Sequence, residues 1–208
     1  SSAASDVYKR QGLPEPFAGF DGLGYVIERF DRTPEGPIHV EDFAQVMRVH
    51  PEEKYERTSF DNLMRMCSAV MGEEAVAELV RRLVFTIAIA NADMHLKNWS
   101  IRYEDRYSPS LAPAYDYVCT AAYAGYDDFL ALPLADTLQW TAITSETFLR
   151  AARNARIQPH IVKAAVADMK DRIETAWPQV RGELPKAVRR VIERQLALPL
   201  FKKRTQLS

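Results

Sequence analysis

An apolar run, Leu83-Val84-Phe85-Thr86-Ile87-Ala88-Ile89-Ala90, stops abruptly at a polar cluster in which Asn91, Asp93, His95, Lys97 and Asn98 follow one another closely. The run closes a stretch from about Glu73 with apolar residues at helical spacing, so it reads as a core helix. Helices often end in polar residues, and capping would account for one or two of them. Five hydrogen-bonding side chains in so short a space ask for more. The fold has to bury this helix while presenting its end as a rigid stand for a polar loop.

The rest of the chain reads as a strand, a helical block, a hairpin and a second helical block. Tyr25-Val26-Ile27-Glu28-Arg29-Phe30, after Gly22 and Gly24, predicts a strand, and "DRTPEGPIHV" a turn. A short amphipathic helix is expected over 40–47, with acidic residues in its first turn, then a polar loop, "HPEEKYERTS". Ser59 opens a second helix carrying Leu63, Met66, Cys67 and Val70, and Gly72 breaks it before the long third helix. Trp99–Tyr103 and Leu111–Asp116 form a hairpin around "EDRYSPS". Helices follow over 145–157, 159–177 and 183–196, with Ser145 as an N-cap before Glu146.

The 208 residues, 47% hydrophobic and 26% charged, suit one globular domain. A net charge of −1 offers no basic face for nucleic acid. Cys67 and Cys119 fit neither a disulfide framework nor a zinc site and read as small core residues. No apolar run approaches the ~20 residues that span a bilayer, and "SSAASDVYKRQ" is no signal peptide. A soluble, reducing, cytoplasmic setting is expected, with no direct nucleic-acid or membrane partner. Residues 1–19 have no structural period and are expected to be unstructured or artefactual. Residues 20–197 form the lobe and 198–208 a polar basic tail. The chain reads as a fragment whose true beginning is missing.

The chemistry lies in a spacing. Asp93 precedes Asn98 by five positions, and Asp116 follows at the end of the hairpin. D-x-x-x-x-N, a hairpin and then Asp is the core logic of protein-kinase-like folds. One Asp takes the proton of the hydroxyl nucleophile, while the Asn and the later Asp hold Mg²⁺ against nucleotide phosphates. Mg²⁺ is hard and wants oxygen ligands, and they must stand on a rigid turn to align the reaction.

"NADMHLKNWSI" followed by "LAPAYDYVCT" resembles the HipA-like family of bacterial serine/threonine kinases, the toxin halves of HipBA-type systems. "VIERFDR" resembles that family's hinge, and "EKYE" (53–56) a further signature. The likeness runs from about residue 20 to about residue 180 with the motifs in order. It implies a mostly α structure with a small β-hairpin, the C-terminal lobe of a protein-kinase-like α+β fold. It implies Asp93 as the catalytic aspartate, Asn98 and Asp116 as metal ligands, and Glu28 and Phe30 at the hinge that holds the adenine ring. His95 and Lys97 match catalytic-loop positions: His95 as a brace, Lys97 either against the γ-phosphate or in solvent. ATP and Mg²⁺ are the implied cofactors. A protein substrate and a HipB-like DNA-binding antitoxin are the implied partners.

Such a kinase also needs a phosphate-covering glycine-rich loop and a lysine. Gly19, Gly22 and Gly24 lie too close to the hinge, and only Lys9 precedes it, so the chain is expected to be the C-terminal lobe without the upper nucleotide clamp. Two other readings stay open. Aminoglycoside and choline kinases share the D-x-x-x-x-N spacing but place His-Gly where this chain has Asn91-Ala92. A detached lobe could also serve as an antitoxin-binding scaffold with an idle site. Asn91 is expected to satisfy the helix end, and "AYAGYDDFLALP" (122–133) to form a lip near the metal ligands.

Overall fold

The computed structural model describes residues 28–49, 58–105, 107–123 and 129–202, together with the backbone pairing of β1 (Glu15–Pro16) with β2 (Leu23–Gly24). "EKYE" at 53–56 and the tail beyond Lys202 lie outside the described residues, as do Tyr25–Ile27 of the predicted strand. Glu28–Phe30, its described end, is irregular backbone rather than strand. A small antiparallel pair follows, β3 (Arg32–Thr33) with β4 (Gly36–Pro37).

His39–Asp42 forms strand β5, where a helix was expected from residue 40. The helix α1 is only Phe43–Val46, opened by a capping box between Asp42 and Gln45. Tertiary pairing overrides the helical pattern here, because β5 lies antiparallel to β6 (Ser100–Tyr103), and β6 to β7 (Pro109–Leu111). The resulting three-stranded sheet contains the expected hairpin with shorter arms. Residues 112–119 run on without strand pairing.

Helices α2 (Phe60–Met71) and α3 (Glu73–Ala88) fall where the sequence puts them. Ser59 Oγ accepts the Asn62 N–H at 3.3 Å as the N-cap of α2. Gly72 turns the chain between the two helices at φ +85°, a value that favours glycine. Along α3 the buried residues Val76, Leu79, Val80, Leu83, Val84 and Ile87 repeat at three and four positions and face the core.

The lip runs into a hairpin that no sequence signal gave, β8 (Phe129–Leu134) with β9 (Thr137–Gln139). Residues 124–128 of the lip lie outside the described residues, and its described end is β8. Helix α4 (Ser145–Ala155) is capped by Thr144, not Ser145: Thr144 and Thr147 exchange side-chain-to-backbone hydrogen bonds in a capping box. Helix α5 (Pro159–Val180) starts with proline at a first-turn position, where no N–H is missed. It runs through Pro178, which falls in its last turn and so loses one hydrogen bond without breaking the helix. Helix α6 (Lys186–Leu196) ends the lobe.

Helix α3 is sandwiched. It packs along α5 and against α2 and α6, while α2 and α5 also pack on α4. The core built between them holds Phe43, Phe60, Trp99 and Phe148 at 2% exposure or less. Phe85 and Trp177 are half-buried against it. Cys67 and Cys119 are free, buried thiols, as expected of small core residues. Among the described residues no helix is long and apolar enough to cross a membrane.

Candidate active site

The polar loop begins where α3 stops. Ala90 takes a left-handed conformation at φ +54°, its N–H bonds the Ile87 carbonyl, and the Asn91 N–H reaches back to the Thr86 carbonyl at 3.0 Å. That is a Schellman ending with alanine in the place glycine usually takes. The backbone alone therefore satisfies the helix end. The Asn91 side chain, expected to do that work, is directed elsewhere.

The loop is pinned by alternation. Met94, His95 and Leu96 are buried, Lys97 is exposed, and Asn98 and Trp99 are buried again. Trp99 packs edge-on against Phe60 at the head of α2, with ring centroids 5.9 Å apart. Leu96–Asn98 make a single 3₁₀ turn. Asn98 donates its amide N–H to the Asp93 carbonyl at 3.0 Å, which leaves its side-chain oxygen as the atom that can face a cation. Asp93 keeps a third of its side chain exposed, and the buried His95 holds Nε2 4.0 Å from Asp93 Oδ1.

Asp116 arrives from the other side. It is exposed and left-handed at φ +58°, a conformation that aspartate tolerates better than most residues. Three side chains tie its segment to the loop. Asn91 Nδ2 donates to the Asp116 carbonyl at 3.1 Å, while Asn91 Oδ1 accepts the Asp93 N–H at 3.0 Å. Thr120 Oγ1 accepts the Ala92 N–H at 2.7 Å and donates to the Ala90 carbonyl at 3.3 Å. The Tyr115 hydroxyl donates to the Lys97 carbonyl at 2.7 Å and lies 2.6 Å from Ser100 Oγ. From α3, Arg82 also holds the Ala112 carbonyl at 2.7 Å.

Phe30 of the hinge segment stacks on Tyr115, with centroids 5.7 Å apart. Glu28 is exposed on irregular backbone beside it. The structure thus gathers Asp93, His95, Asn98 and Asp116 into one bonded framework with Phe30 at its edge, and Lys97 is exposed to solvent. Asn91, Tyr115 and Thr120 are the residues that sequence reasoning missed. Their neighbours carry the motif, but hydrogen-bonding partners across two segments leave no local trace.

The donor set suits a hard cation, with a carboxylate and an amide oxygen on fixed backbone. Among the described residues no group of three or more His, Cys, Asp or Glu forms a metal cage. Mg²⁺ asks for none, since it is held by one or two protein oxygens together with phosphates and water.

Helices around a buried α3, with a polar loop at its end and a small antiparallel sheet beside it, define the helical lobe of a protein-kinase-like α+β fold. The chain belongs to the HipA-like C-terminal domain family, whose model matches residues 11–177. Y4dM of Sinorhizobium fredii, named as a candidate kinase, is 39% identical over 182 residues, which are 86% of this chain and 44% of that protein. A Haemophilus influenzae protein, also named as a candidate kinase, is 30% identical over 139 residues, 61% of this chain and 40% of its own length. HipA from the solved complex of HipA, HipB and operator DNA of Shewanella oneidensis MR-1 has a TM-score of 0.76, covering 94% of this chain and 52% of that one at 20% identity. That last likeness concerns the fold. The chain spans about half the length, or less, of these relatives.

Proposed function

We propose that the chain is the catalytic-loop lobe of a Mg-ATP-dependent serine/threonine protein kinase of the HipA toxin type. The observation that carries this is the bonded framework joining Asp93, Asn98 and Asp116 through Asn91. A serine or threonine hydroxyl oxygen of the protein substrate bonds to the γ-phosphorus of ATP. The bond from that phosphorus to the β,γ-bridging oxygen breaks, and ADP leaves with the electron pair. Asp93 accepts the hydroxyl proton. Asn98 and Asp116 would hold Mg²⁺, which supplies charge neutralisation on the phosphates. His95, buried beside Asp93, braces the loop. Lys97, being exposed, serves as a point charge for a phosphate entering from solvent. Glu28 and Phe30 offer backbone groups to the adenine, and the Phe30–Tyr115 stack supports that placement because it sets the hinge segment against the residue before Asp116. By likeness to the Shewanella complex, a HipB-like DNA-binding antitoxin is the partner we assign.

The test is thermal unfolding with Mg²⁺ and ATP, beside Asp116→Asn. Asparagine tolerates the left-handed backbone at this position, so the change removes charge without adding strain. A ligand at ten times its Kd adds about 1.4 kcal/mol, or about 3–6 °C for a chain of this size. The expected result is a shift that requires magnesium and disappears in the variant. A chain that shows no magnesium-dependent shift at millimolar ATP would be a scaffold and not a kinase lobe.

A further inference from the structure

Asp93 and Asp116 come from different segments, and one side chain spans them. Asn91 is 1% exposed. Its oxygen takes the Asp93 N–H and its nitrogen gives to the Asp116 carbonyl, so both ends of a rigid planar amide are committed. The Asp116 backbone at φ +58° is costly for a residue with a Cβ and persists only where its surroundings fix it. The bond to its carbonyl is such a constraint. Thr120 also ties the two segments, through the Ala90 carbonyl and the Ala92 N–H, but it touches neither aspartate.

We infer that Asn91 is the positioning residue of this site, its side-chain amide setting the backbone of Asp93 against that of Asp116. The catalytic meaning rests on the kinase reading above, whereas the geometry does not. Two readouts on the whole 208-residue chain test it. In the ligand-free protein, Asn91→Ala should move the amide resonances of Asp93 and of Tyr117, whose N–H shares the peptide group of Asp116. It should also speed Asp93 amide exchange by about tenfold or more. Thr147→Val, which removes an equally buried hydroxyl from the capping box of α4, should leave both as they are. With ATP held fixed, Asn91→Ala should raise the magnesium half-saturation about tenfold or more, the usual loss when a residue supporting metal ligands is removed, whereas Thr147→Val should not.

Asn91→Asp guards against a variant that fails to fold. It keeps the acceptor for Asp93 and removes the donor to Asp116, so Tyr117 should move while Asp93 stays protected. The inference is overturned if the Asp93 and Tyr117 amides of Asn91→Ala match the wild type. It is equally overturned if magnesium half-saturation rises alike in Asn91→Ala and Thr147→Val, since general loosening then explains both. If the wild type takes up no Mg-ATP, the kinase reading fails, and the ligand-free spectra still decide the role of Asn91.

Discussion

Tyr115 does several things with one side chain. Its ring carries Phe30, its hydroxyl joins Ser100 to the Lys97 carbonyl, and its backbone delivers Asp116. Burial pushes the phenol up to about 12 from 10.0, with a smaller opposing pull from the Ser100 hydrogen bond. The hydroxyl therefore stays protonated, and able to donate, throughout the neutral range. A raised folded value means that the stabilisation is fully present below pH 10 and is lost as pH climbs toward 12. Tyr115→Phe should therefore flatten part of the alkaline fall in urea-unfolding stability. Tyr117 and Tyr103, also pushed up by burial, keep the remainder. Burial likewise raises the Cys67 thiol to about 12, so alkylation at pH 8 should be negligible in the native protein and fast in urea. That Asp93, Asn98 and Asp116 come together was legible because motif spacing is a property of the chain itself. The part played by Asn91 was not, because a helix end that looks in need of a side-chain cap is closed by backbone instead.

Elements were legible wherever local signals agreed with tertiary packing. Ser59, Gly72 and the apolar spacing of α3 all point the same way, and α2 and α3 fell in place. The β8–β9 hairpin shows the opposite case. Its two-residue turn, Ala135 and Asp136, takes φ +45° and +62°, the left-handed pair that normally calls for Asn-Gly. Alanine gives no such signal, and distant side chains hold the turn instead. Asp61 of α2 accepts the Ala135 N–H at 2.9 Å and the Asn154 side-chain N–H at 2.8 Å, while Arg150 of α4 donates to the Ala135 carbonyl at 2.8 Å. Asp61 is 6% exposed, so its removal strands the buried Ala135 N–H. Asp61→Ala should cost about 2–3 kcal/mol in urea unfolding.

For the whole molecule, the sandwich of α3 against α5 decides stability, and one ion cluster clasps it from outside. Asp168 of α5 accepts from Arg81 of α3 at 2.7 Å and from Arg172 at 2.8 Å. Burial works against its ionisation, but the hydrogen bonds from Arg172 and Arg81 prevail and hold the carboxyl below its ordinary 3.8. A lowered folded value means that the stabilisation is present above pH 3.8 and is lost as pH falls through the folded value. Solvent reaches the pair and shrinks the effect. Asp168→Asn should therefore move the acid-unfolding midpoint only slightly and make it less sensitive to salt.

The pairing of β5 with β6 has a consequence in time. All of α1, α2 and α3 lies between these strands, so the ladder forms only after the helices have drawn its ends together, and the entropy of closing that loop is charged before any ladder bond is gained. The hinge segment hangs from this late-closing seam. The Glu28–Phe30 amides should therefore exchange with solvent faster than those of α3, and a ligand gripping the hinge should slow them without changing α3.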